Sequence, residues 1–355
     1  MAKELKVVVF GRGTGESILI ELEQDCWLAV DCFNNPVSKK PAAIDYLENK
    51  GLDPKEVLKY IVISHFHSDH ITGMLDLITF SAPDAKVYIS EALTIQEAVK
   101  YYSHLMESHT DAELSGVDEL KRIFSYLRNN QRHAIKLVQD KVIFDNDDYI
   151  VSAISPSDFD KSESQETFIN LLAQCEPGVL PQAARINPNH FCVVLSIKCK
   201  GSNKHVLLGA DLEICNDPNG GWESAIDSVT APKGKNVNVF KIPHHGSATG
   251  FHQRTWDDIV EQDAYAILTT FDRCSLPKEE YIKVFKDYTS NLFSTTSPKY
   301  KKNEVLSRQS QKILQDKAPA VNVVAVMPKN KFGYVEAFSE NGIIKCSLYH
   351  DAIKL

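Results

Sequence analysis

The stretch Ser64-His65-Phe66-His67-Ser68-Asp69-His70-Ile71-Thr72-Gly73 puts three histidines and an aspartate within six residues. It follows a short apolar run, Tyr60–Ile63, and leads into Ile71–Phe80, whose apolar spacing reads as helical. A strand that ends in a loop can turn His65 and His67, two positions apart, toward one metal ion as imidazole ligands. Asp69 and His70, from the turn that follows, can face a second ion. Packing does not call for such a cluster, whereas metal binding does. Asp211, closing Leu207-Leu208-Gly209-Ala210-Asp211, is a carboxylate that can bridge both ions. Two ions ~3.5–4 Å apart hold a shared hydroxide and clamp both oxygens of an in-line displacement. A centre of two divalent ions built from His and Asp suits Zn2+ first, with Mn2+ or iron as alternatives.

The rest of the chain sets the frame. Its 355 residues are 43% hydrophobic and 24% charged, ordinary values for a globular protein. A formal net charge of −8 gives no whole-protein attraction to nucleic acid or to an anionic membrane. The one basic run is Lys299-Tyr300-Lys301-Lys302, which reads as a solvated loop. The apolar run at the N-terminus stops at Gly11 without the longer apolar core of a signal peptide. No stretch reaches the ~18 apolar residues of a membrane span. The eight cysteines are scattered with no C-x-x-C pair, as expected of reduced thiols in a cytoplasmic protein.

Strands and helices alternate along the chain. Lys6–Phe10, Glu16–Glu21 and Cys26–Val30 read as a meander, and residues 41–50 as a helix. Residues 91–131 are polar and helical with a break near 107–117; this insertion is read either as a cap beside the site or as a surface segment. Lys86–Ile89, Ile135–Val138, Lys141–Phe144, Tyr149–Ile154 and Val237–Ile242 read as strands, and Phe191–Lys198 with His205–Gly209 as a hairpin. Within the polar stretch 155–189 only Phe168–Ala173 reads as helical. Further strands are expected at Tyr265–Thr269 and Leu292–Ser294, around a helix at Lys278–Tyr288. The tail offers Val321–Val326, Tyr334–Phe338 and Ile343–Leu348, a β-rich extension over 317–355. With no linker rich in Pro, Gly or Ser, residues 1–355 are expected to form a single domain.

The quoted stretch resembles the H-x-H-x-D-H signature of the metallo-β-lactamase superfamily. That resemblance implies an α/β fold, an αββα sandwich of two mixed sheets flanked by helices. Asp31, after Trp27-Leu28-Ala29-Val30, matches a carboxylate that orients a ligand histidine; Asp211 matches the bridging aspartate, and His244 the last ligand histidine. Two further runs, Phe10-Gly11-Arg12-Gly13-Thr14-Gly15-Glu16-Ser17-Ile18-Leu19-Ile20 and Lys241-Ile242-Pro243-His244-His245-Gly246-Ser247, resemble the branch that includes the C-terminal domain of the competence DNA-uptake protein. The likeness covers residues 5–80 and 187–296.

The resemblance implies His65, His67 and His190 on one ion, Asp69, His70 and His244 on the other, and Asp211 between them. Asn187-Pro188-Asn189-His190 leaves open whether His190 completes the first site or Asn189 meets the substrate there. Whether His244 or His245 is the ligand is also open; His245 is otherwise a candidate for contacting a phosphate or protonating a leaving group. Ser247, Thr249 and Lys241 are candidate substrate contacts, although Lys241 could equally be structural, since alternation along its strand does not decide. Asp69 and His245 stand as the catalytic pair. The branch points to a phosphodiesterase or nuclease acting on nucleic acid or nucleotides. A carbonyl hydrolase (lactonase, thioesterase or β-lactamase-like) is the alternative.

Overall fold

The computed structural model describes residues 5–108, 115–173, 187–202, 204–299, 331–340 and 343–355. The expected strand Val321–Val326, Tyr300-Lys301-Lys302 and most of the break at 107–117 lie outside the described residues.

Two mixed eight-stranded sheets face each other. The first takes β1 (Lys6–Gly11), β2 (Glu16–Glu23), β3 (Cys26–Val30), β4 (Leu58–Ile63), β5 (Lys86–Ser90) and β6 (Ile135–Leu137). The second is built from β7 (Val142–Asp145), β8 (Tyr149–Ala153), β9 (Leu195–Cys199), β10 (Lys204–Leu208), β11 (Val237–Lys241), β12 (Val260–Leu268) and β13 (Leu292–Ser294). The tail then joins both sheets. The hairpin β14 (Gly333–Glu340) and β15 (Ile343–His350) pairs with β1, and β16 (Ile353–Lys354) pairs with β13. Strand order is β15-β14-β1-β2-β3-β4-β5-β6 in one sheet and β16-β13-β12-β11-β10-β9-β8-β7 in the other.

Alternation along the strands explains the layers. Val7, Val9, Ile18, Ile20, Leu28 and Val30 point inward and meet Leu195, Ile197, Val206, Leu208 and Val239 of the opposite sheet. Their neighbours Val8, Phe10, Leu19, Trp27 and Ala29 point outward, onto helices. Those helices are α1 (Ala42–Asn49), α2 (Pro54–Val57), α3 (Ser68–Ile71), α4 (Met74–Phe80), α5 (Gln96–Ser108), α6 (Ser115–Asn129) and α7 (Asp158–Ala173). On the far side α8 (Gly221–Asp227) and α9 (Glu279–Tyr288) cover Leu207, Phe240 and Leu268 with Trp222, Ile282 and Phe285.

Two of the departures from the sequence reading bear on the site and its surroundings. Ile71–Phe80 is not one helix: α3 ends at Ile71 and α4 begins at Met74, divided at Gly73, whose φ of 87° is left-handed. The helix at 155–189 starts ten residues early because its inward face is polar. Asp160 accepts from the backbone N–H of Ser157 and Gly221, and Ser164 donates to the Ala92 carbonyl, so apolar spacing could not reveal it.

The 91–131 insertion is tied to the histidine loop. Tyr102 of α5 meets Phe66 edge-on at 5.2 Å, and Glu119 of α6 caps α4 through the Leu75 N–H at 3.0 Å. At Gly116 a Cβ would overlap the Phe66 carbonyl oxygen. Gly116→Ala is therefore expected to cost about 1–3 kcal/mol. It should also disturb metal uptake, read by urea unfolding together with bound-metal content; an unchanged midpoint would show that the loop yields freely.

Candidate metal centre

The parallel strands end at one place, the usual position for ligands in such sheets. Asp31 follows β3, Ser64 and His65 follow β4, Asp211 follows β10, His244 and His245 follow β11, and Thr269 follows β12. Asp31 (φ 57°), Ala210 (φ 43°), His244 (φ 45°) and His245 (φ 53°) all sit in the left-handed region. Such backbone is costly for non-glycine residues and gathers at functional sites.

Asp31 is a hub. Its carboxylate accepts from the Ser64 N–H at 2.8 Å, the Ser64 hydroxyl at 2.6 Å and His70 Nδ1 at 2.7 Å. With Nδ1 engaged, His70 turns Nε2 toward Asp211 Oδ1 at 3.3 Å and Asp69 Oδ2 at 3.6 Å. His65 Nε2 lies 3.1 Å from His67 Nδ1 and 3.9 Å from Asp211 Oδ2. His245 Nε2 lies 3.1 Å from Asp69 Oδ2 and 3.8 Å from Asp211 Oδ2. The structure thus brings His65, His67, Asp69, His70, Asp211 and His245 together around a common centre.

The charge balance shows what this centre suits. Burial pushes the Asp211 and Asp69 carboxyls up, but the neighbouring imidazoles, His70 foremost, hold both below the ordinary range. Burial pushes His70 down, but Asp211, Asp69 and Asp31 together hold it well above 6.5. Burial, with His70 and His67 nearby, drives His65 well down; burial also lowers His67. Two polar atoms inside the cluster, His70 Nε2 and Asp211 Oδ1, are buried without a well-formed hydrogen bond. Converging imidazoles and buried carboxylates, with ligand atoms that lack a well-formed hydrogen bond, fit bound divalent cations.

Several expected residues fall elsewhere. His244 turns away from Asp69 and Asp211: its Nδ1 lies 3.1 Å from Glu213 Oε1 and 2.9 Å from the Ser247 hydroxyl, and its Nε2 3.3 Å from Asn189 Nδ2. The inward histidine is His245. His190 is 39% exposed at its side chain, with Nε2 3.9 Å from Glu213 Oε2, and stands outside the clustered groups. Asn189 is buried and donates to Glu213 at 2.9 Å. Ser247 is engaged locally, with His244 and with the Gly250 N–H, so it closes a turn. Lys241 is not a substrate contact: it is fully buried and ion-paired to Glu16 at 2.5 Å.

Four residues carry a part that the sequence reading did not assign. Thr269 lies 2.8 Å from His245 Nδ1, and its hydroxyl donates to Glu16 at 2.5 Å. Phe271 stacks on the His245 ring with centroids 5.1 Å apart and planes at 19°. Glu16 was visible only as the acidic position of its glycine-rich run. Glu213, two residues after Asp211, gathers Asn187, Asn189 and His244.

The Metallo-beta-lactamase superfamily model matches residues 10–249. Similar solved structures include the metallo-beta-lactamase fold protein YhfI from Bacillus subtilis, 14% identical over 83% of this chain and 96% of that one, with a TM-score of 0.38. A metallo-beta-lactamase HARLDQ motif mutant from Cronobacter sakazakii is 13% identical over 66% of this chain and 75% of that one, TM-score 0.35. The subclass B3 metallo-beta-lactamase MEM-A1 from a soil metagenome library is 13% identical over 68% and 78%, TM-score 0.33. No curated protein matches the chain.

Proposed function

The chain belongs to the metallo-beta-lactamase superfamily, and from that premise we propose that it is a two-metal hydrolase of phosphodiesters in nucleic acid or nucleotides. The observation that carries the metal reading is the convergence of His65, His67, His70, Asp211 and His245 on one buried centre, with Asp69 beside His70 and His245. In this reading His65, His67 and Asp211 hold one divalent ion, Zn2+ first. Asp69, His70 and His245 hold the other, and Asp211 is shared. Bound there, the ions supply a water of lowered pKa and Lewis acidity toward an oxyanion.

The chain's own residues do the rest. Asp31 accepts a hydrogen bond from the Nδ1–H of His70 and so aims Nε2 inward. His244, partly exposed at its side chain and backed by Glu213, stands at the rim where a phosphoryl oxygen would arrive. Asn189, held by Glu213, lies beside it. His190 is then a rim residue instead of a ligand.

The Lys241–Ser247 and Phe10–Ile20 runs support placing the chain in the branch that includes the competence DNA-uptake domain, and with it the phosphodiester reading. A single domain in the cytoplasm belongs to the same proposal, supported by the unpaired thiols of Cys32, Cys192, Cys199, Cys215, Cys274 and Cys346. Among the described residues no helix is long and apolar enough to cross a membrane.

A substrate panel tests the proposal: single-stranded DNA, RNA, cyclic nucleotides, a chromogenic phosphodiester, and a chromogenic lactam and lactone. Phosphodiester turnover is expected, and His67→Ala should remove it. Turnover of the carbonyl compounds alone, lost in the same variant, would make the chain a carbonyl hydrolase.

A further inference from the structure

Resting on the ligand reading above, we infer that Lys241, Glu16 and Thr269 form a positioning relay that sets the tautomer of His245 and the pose of Asp211 together. The argument is a donor count. Lys241 and Glu16 are both essentially without solvent contact, and the ammonium lies 2.5 Å from Glu16 Oε1. Paired in this way, Glu16 acts as an acceptor on its other oxygen, and the Thr269 hydroxyl donates its single proton there at 2.5 Å. The Thr269 oxygen then has only lone pairs to offer His245 Nδ1 at 2.8 Å. Nδ1 must carry the proton, which leaves Nε2 as the metal-facing atom, beside Asp69 and Asp211. Phe271, stacked on the ring, resists its rotation.

The same ammonium donates to the Ala210 carbonyl at 2.9 Å, and the His244 N–H donates to that carbonyl at 3.0 Å. Lys241 therefore pins the peptide immediately before Asp211 while it pairs with Glu16. Glu16 lies close enough to His70, Asp211 and His245 to be mistaken for a ligand, but its Oε1 is ion-paired to Lys241 and its Oε2 accepts from Thr269. Thr269 and Glu16, 253 residues apart, join the glycine-rich run at Glu16 and the Lys241–Ser247 run into one device. These are positioning residues: they act through His245 and Asp211.

The test uses the zinc-loaded protein labelled with 15N-histidine. Long-range 1H–15N correlation should show His245 protonated at Nδ1. A titration against a chromogenic chelator should show that Thr269→Val weakens one of two zinc sites by about 10–100-fold, the usual cost of losing a partner behind a ligand. Thr269→Ser should restore it. Zinc affinity unchanged in a folded Thr269→Val, or a proton on Nε2 in the wild-type spectrum, would overturn the relay. The spectrum needs no variant, so a Thr269→Val that fails to fold leaves the test intact. Wild-type protein that binds no zinc would overturn the ligand reading itself, a separate result.

Discussion

Asp211→Ala is expected to lose at least about 10³-fold in hydrolysis, some 4 kcal/mol of transition-state stabilisation. The reason is its position. Asp211 is buried and faces three imidazoles at once, His70 at 3.3 Å, His245 at 3.8 Å and His65 at 3.9 Å. No other carboxylate among the described residues is placed to be shared in this way; Asp69 reaches His70 and His245, and Asp31 is taken up by Ser64 and His70. Without Asp211 the chain should hold fewer than two ions, so bound metal and turnover should fall together. His244→Ala makes the contrast. Its ring rests on Glu213, so both ions should stay while turnover drops by about 10²-fold. Equal metal loss in the two variants would mean that His244 is a ligand after all.

The second large effect is on stability. Lys241→Met is expected to destabilise the protein by about 3–5 kcal/mol, because it leaves Glu16 charged and buried without its partner. Glu16→Gln in the same chain should recover most of that loss, since a neutral pair of similar size carries no stranded charge. Urea unfolding of the metal-free protein reads both variants and keeps metal affinity out of the measurement. A Lys241→Met midpoint like that of the wild type would show that water reaches this pair, against its complete burial.

Much of this was legible in the sequence for definite reasons. The strands β1 to β5 alternate or run apolar between turns, and His65–His70 announces a centre because such a density of imidazole has no use in packing. Lys241 was left open between a structural role and a substrate contact for a reason that is equally physical. Every residue of β11 is buried, so alternation offers no solvent-facing side on which to place a lysine. The choice between His244 and His245 depends on two successive left-handed residues before Gly246, a conformation that extended-chain reasoning cannot supply. Thr269 and Glu213 carry no local signal at all. Their roles exist only once the facing sheets bring the start of β2 against the ends of β10, β11 and β12. The tail strands were visible as a β-rich extension, but their pairing across both sheets depends on partners hundreds of residues away.

The central claim is a two-metal centre, and metal content tests it most directly. Protein purified without chelators and measured by elemental analysis should contain close to two transition-metal ions per chain, zinc foremost. Asp211→Ala should contain fewer. Metal near zero in the wild-type protein, persisting after incubation with excess Zn2+ and desalting, would contradict the account.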